Sequence, residues 1–151
     1  MATGPVNNGG YNYDGAGNMT YDGKNSYAYD GEGRICAVKT VAGSYFQYIY
    51  DADGNRIAKG SVNSLSCNTS SNGFTLVAGY VVGASGEQVS ELDGQGQWVR
   101  SNVYADGQPV ATYTSSGVHF HMTDEVGTRR VQVSGGLSAY QAYLSLPFGN
   151  V

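Results

Sequence analysis

The sequence predicts an all-β chain, a meander of short antiparallel hairpins, on three observations. Of 151 residues, 23 are glycine and 13 are tyrosine. Glycine serves tight turns because it tolerates φ > 0, whereas tyrosine favours a pleated, half-buried surface. A Tyr-Asp-x-x-Gly unit recurs along the chain. Between its copies, apolar residues follow the two-residue period of strands rather than a helical one.

The elements follow in order. Met1 to Gly10 carry neither period and read as a loose N-terminal segment, leaving 11–151 as a single β domain. Three good copies of the unit come first: Tyr13-Asp14-Gly15-Ala16-Gly17, Tyr29-Asp30-Gly31-Glu32-Gly33 and Tyr50-Asp51-Ala52-Asp53-Gly54. An apolar residue follows each soon after: Met19, Ile35 and Ile57. A shortened copy is Tyr21-Asp22-Gly23, and a degenerate one runs from Leu92-Asp93-Gly94 through Gly96 to Trp98. Each position has a physical role. Tyrosine closes a strand and lays its ring on the sheet. Aspartate opens the turn, its carboxylate accepting from backbone N–H groups one or two residues on. The glycine four residues after tyrosine takes the left-handed conformation of a tight hairpin. The apolar residue then starts the next strand.

Between these units, Tyr45 to Tyr50 puts Phe46, Tyr48 and Tyr50 on one strand face. A polar loop over 60–73 precedes an apolar, β-branched run from Phe74 to Val82. Gly83-Ala84-Ser85-Gly86 turns that run. Glu87 to Leu92 and Trp98 to Tyr104 flank the degenerate copy, and Asp106-Gly107 signals a hairpin between Val99–Tyr104 and Val110–Thr114. Val118 to Thr123 and Thr128 to Ser134 form a further pair. Pattern counting gives about ten strands. Ser138 to Leu146 has ambiguous spacing and is the one stretch where a helix competes.

Charge and motif content bear on function class. A net charge of −4, with eight scattered Lys and Arg residues, lacks the basic stripe of a nucleic-acid binder. No apolar run is long enough to span a bilayer as a helix, and Met1 to Gly10 lack the basic and apolar regions of a signal peptide. Cys36 lies in an apolar run and reads as a small buried hydrophobe, while Cys67 lies in the polar loop. A disulfide between them is left open, because sequence cannot supply its geometry.

No catalytic constellation emerges. Asp51, Asp53 and Asn55 alternate like calcium ligands, but Arg56 and Val62 occupy the loop positions where an EF-hand needs glycine and glutamate. The turn explains them better. His119 and His121 share a strand face with Asp124 nearby, too few groups for a tetrahedral metal site. No nucleophile elbow or nucleotide-binding loop occurs. The reading is therefore a non-enzyme with no metal and no cofactor. Tyr48 and Trp98 are the candidate ligand-stacking rings, which makes carbohydrate the alternative partner class.

The repeats resemble those of rearrangement hot spot (RHS) proteins, also called YD-repeat proteins, and those of Tc-toxin C subunits and teneurins. The second half adds a more specific likeness. His121-Met122-Thr123-Asp124-Glu125-Val126-Gly127-Thr128-Arg129-Arg130 is similar to the family's core signature, with Asp124, Gly127 and Arg130 on its pattern. Glu125, Val126 and Thr128 replace its usual His, Leu and Ser. Tyr143 to Gly149 resembles the Tyr-x-Pro-Phe-Gly stretch that follows the signature. The resemblance implies a β-ribbon that spirals into a hollow shell and encloses a variable C-terminal toxin. It also implies a secreted or cell-surface location. The expected partners are the remainder of the shell or the toxin domain, with self-association through strand edges. No Asp-Pro dipeptide is present, so the family's self-cleavage is not carried over.

Overall fold

The computed structural model describes residues 10–125, 127–136 and 140–142. Those residues form strands and turns, with no helix among them. The first strands are β1 (Asn12–Tyr13), β2 (Met19–Tyr21), β3 (Ser26–Tyr29), β4 (Ile35–Lys39), β5 (Tyr45–Tyr50), β6 (Arg56–Val62) and β7 (Thr75–Val82). There follow β8 (Gln88–Asp93), β9 (Trp98–Ala105), β10 (Gln108–Thr114), β11 (Gly117–Thr123), β12 (Arg129–Ser134) and β13 (Tyr140–Ala142). Each strand pairs with its neighbours in chain order, so the all-β meander holds.

Among the described residues, thirteen strands replace the expected ten or so. Three of them, β1, β2 and β13, have only two or three residues. Tyr140–Ala142 is strand, which removes the helix alternative for that part of 138–146, and the rest of that stretch lies outside the described residues. So do the segment 1–9, Val126 and the stretch Tyr143 to Gly149.

The chain forms two compact units, Met1–Gly79 with Asp93–Gly96, and Tyr80–Leu92 with Gln97–Val151. In the first, the core lies beneath the long loop after β6. Cys36, Ala37, Val62 and Gln47 are buried there, together with Asn72 from the loop itself. The loop begins later than expected, because β6 continues to Val62. Cys36 is buried as expected but is disulfide-bonded to Cys67, with the Cα atoms 5.4 Å apart. That separation lies within the range such bridges require. In the second unit, one sheet face carries Val103, Tyr113, Phe120 and Met122, each at least half exposed.

The turns repeat a single geometry. At Asp14, Asp30, Asp51 and Asp124 the aspartate N–H donates to the carbonyl four residues on, and the following glycine N–H donates back to the aspartate carbonyl. Gly17, Gly33, Gly54 and Gly127 have φ of 90°, 79°, 86° and 81°. Pairing slips by one residue beside each turn, as Tyr29↔Ile35, Tyr50↔Arg56 and Thr123↔Arg129 record. This is a type I turn followed by a left-handed residue that forms a bulge. Asp106 and Gly107 instead have φ of 49° and 74°, the mirror-image two-residue turn.

Gly54→Val is expected to destabilise the protein by about 1–2 kcal/mol, because a β-branched residue resists φ > 0. A Cβ there meets only the Arg34 side chain at 3.7 Å, so backbone conformation is the main cost. Gly31→Val, in the same kind of turn but without positive φ, is the control. Thermal melts that shift equally for both variants would remove the turn conformation as the cause.

Candidate functional site

The Tyr-Asp-x-x-Gly side chains turn inward on their own turns. Asp14 Oδ1 accepts from the N–H groups of Ala16 and Asn18, both at 2.9 Å, and Asp14 Oδ2 accepts from Asn18 Nδ2. Asp30 repeats this with Glu32, Arg34 and the Arg34 guanidinium, and Asp51 with Asp53, Asn55 and the Asn55 amide. One donor lies two residues on, as expected, and the other lies four residues on, because the bulge brings the fifth residue of the loop back over the carboxylate. Asp124 accepts from Thr128 N–H at 2.9 Å and pairs with Arg130 Nε at 2.7 Å.

These bonds set the electrostatics. The Asn18 side chain and backbone hold the Asp14 carboxyl below its usual range. The Arg34 N–H does the same first for Asp30. For Asp51, partial burial pushes upward but is outweighed by the Asn55 side chain and backbone. Asp22, in the shortened copy, is lowered by Asn25 N–H and then by the Tyr27 hydroxyl. Each carboxylate is therefore charged and occupied at neutral pH, and its contribution to stability is lost only as pH falls below the ordinary aspartate value of about 3.9.

The tyrosines form a second recurring contact. Tyr29 Oη donates to the Met19 carbonyl at 2.8 Å, and Tyr50 Oη to the Ile35 carbonyl at 2.8 Å. Met19 and Ile35 are the residues that start a strand after the preceding copy's turn. Each tyrosine thus braces the turn of the copy before it. Tyr104 does the same to Gln88 at 3.2 Å, after the Gly83 turn. Tyr13 lies on β1 beside Met19. The Gly83-x-x-Gly86 turn was expected from sequence and is present, whereas Tyr104 was not singled out. Thr40-x-x-Gly43 is another turn of the same geometry, with Thr40 Oγ1 in place of the carboxylate.

The stacking candidates differ from each other. Tyr48 carries the Arg56 guanidinium 5.2 Å from its ring centre, one rung of a ladder on β5. Lys59 lies over Phe46 at 4.5 Å and Arg34 over Tyr50 at 4.8 Å. Trp98 is 42% exposed, tilts against Tyr113 with centres 5.3 Å apart, and donates from Nε1 to Ser101 Oγ.

The histidines join a polar face. Thr112 donates to Asn102 Oδ1 at 3.0 Å, so His121 Nε2, 2.8 Å from Thr112 Oγ1, must be the donor in that contact. His121 Nδ1 is then the acceptor for Arg129 Nη1. The ring is neutral in this network. Burial, then Arg129 and His119, hold its pKa below the usual value. A depressed histidine pKa means the unfolded chain binds the proton more readily, so stability falls as pH drops from the ordinary value toward the folded one. We expect a greater loss of melting temperature between about pH 7.5 and about pH 5.5 for the native chain than for His121→Gln. Parallel pH profiles for the two would show that His121 does not report on stability. Among the described residues, no three His, Cys, Asp or Glu side chains converge as a metal site would need.

No family model matches the sequence, and no curated protein does. A solved structure does: the Photorhabdus luminescens Tc holotoxin pore, with a TM-score of 0.50 at 14% identity over 74% of this chain. The likeness is one of fold. This chain spans 5% of that chain's length.

Proposed function

We propose that this chain is a structural segment of an RHS-type β-shell that encloses or delivers a C-terminal toxin, with no catalysis of its own. One observation carries the reading. The groups that make the repeat recognisable are spent on the fold: the Asp14, Asp30 and Asp51 carboxylates on their own turns, and the Tyr29 and Tyr50 hydroxyls on the preceding ones. Such groups build a ribbon and leave nothing for a substrate. The fold likeness to a Tc holotoxin segment supports the same reading. Its partners are then neighbouring shell strands or the toxin. A secreted or cell-surface site accords with the disulfide, since such bonds persist in oxidising compartments.

A shell segment has faces built to be covered by shell or cargo. Size exclusion with light scattering should therefore show concentration-dependent association through the face bearing Val103, Tyr113, Phe120 and Met122. A monodisperse monomer at every concentration, with one cooperative melt, would count against the shell.

The second reading, a carbohydrate-binding β module, rests on the exposed Trp98–Tyr113 pair beside Ser101. Stacking on such rings survives without the fold depending on it. Glycan binding lost in Trp98→Ala, with the melt unchanged, would favour the module over the shell.

A further inference from the structure

Among the described residues, connections between strands are turns of a few residues, except for 63–74 between β6 and β7. This loop folds back onto β4 and β5. Asn63 N–H closes its base on the Asn72 carbonyl at 2.8 Å. Gln47 Nε2 donates to the Cys67 carbonyl at 2.7 Å, and Asn72 Nδ2 donates to Gln47 Oε1 at 2.7 Å and to the Ser66 carbonyl at 2.9 Å. Beneath lie Ala37, Gln47 and Val62, at most 7% exposed. The hydrogen bonding is incomplete: Asn72 Oδ1 is buried and has no partner. An orphaned acceptor favours opening, because water satisfies it once the loop lifts. The covalent Cys36–Cys67 bond offsets that bias.

We propose that loop 63–74 is a redox-latched cover, closed on the sheet when Cys36 and Cys67 are bonded and released when a dithiol reductant opens the bond. Cys36 is 4% exposed, whereas Cys67 lies on the exposed loop, so the accessible sulfur is that of Cys67. The reductant's thiolate attacks Cys67 Sγ, forming a mixed disulfide and expelling the Cys36 thiolate, which takes up a proton. The second thiol of the reductant then attacks its own sulfur in the mixed disulfide and frees Cys67 as a thiol. Two electrons and two protons pass to the protein, and the reductant leaves as its own disulfide. The Ala28 carbonyl, 3.3 Å from Cys36 Sγ, can accept from the buried thiol that reduction leaves on β4. Release of the loop uncovers the sheet face formed by Ala37, Gln47, Gly60 and Val62.

The inference is independent of the shell reading, since it concerns one loop and one bond. Purified protein treated with oxidised glutathione, and the same protein treated with dithiothreitol, would be alkylated and weighed, then digested briefly with a non-specific protease. The expected result is no alkylation in the oxidised form and two modified cysteines in the reduced form. Cleavage within 63–74 should be faster by about tenfold or more after reduction, with the other turns unchanged. Protection should return on reoxidation. Cys67→Ser, a change at an exposed position, should be cut at the reduced rate under both conditions. Two reactive thiols after oxidation, equal cleavage of both forms, or a Cys67→Ser loop as protected as the oxidised one would each overturn the latch.

Discussion

Replacing Gly94 by alanine is expected to cost about 2–3 kcal/mol, the upper end of what overpacking usually costs. A Cβ at Gly94 would stand 2.5 Å from the Leu76 carbonyl oxygen and 3.6 Å from Val77 Cα. Both are backbone atoms, so no side chain can rotate away and the strand must shift. Gly96, two residues on, is the glycine that the repeat picks out. It has φ of 77°, and a Cβ there would meet nothing. Gly96→Ala should therefore cost only about 1 kcal/mol, the strain of a left-handed alanine. Urea denaturation of the two variants gives the order directly. If Gly96→Ala proved the more damaging, close approach at Gly94 would not be what selects glycine there.

Gln47→Leu should destabilise the first unit by about 2–4 kcal/mol. Gln47 is 2% exposed and bridges β5 to the loop, donating to Cys67 and accepting from Asn72. Leucine fills similar space, so the loss comes from polarity rather than from a cavity. It strands the Cys67 carbonyl and leaves Asn72 Nδ2 only the Ser66 carbonyl, beside an Oδ1 that already lacks a partner. Measured stability is the test, and Gln47→Leu matching the native chain would show that the buried amides contribute nothing net. Tyr48→Leu on the opposite face is the comparison, since it removes an aromatic partner of Arg56 without touching this network.

These two expectations separate what could be read from sequence from what could not. The Asp-x-x-Gly turns were legible because a turn is local. Its hydrogen bonds close within five residues, and its left-handed position admits few residues besides glycine. Hence Gly17, Gly33, Gly54 and Gly127 were found at positive φ. The strand Tyr140–Ala142 was left ambiguous, since three residues carry no clear period. The Thr40 turn escaped because a hydroxyl stands where aspartate was sought. The carboxylates' second donors, four residues on, were missed because a bulge slips pairing by one residue.

By itself the sequence determined the fold class, the hairpin order and the turn positions of this protein, all consequences of local conformational preference and a two-residue period. Tertiary structure alone decided that Cys36 meets Cys67, that Gln47 and Asn72 share a buried hydrogen bond, and that Tyr29 and Tyr50 brace the turns before them. Such contacts join residues 10 to 31 positions apart. Their geometry depends on strand register and on where one long loop folds back, and neither is encoded in any single segment.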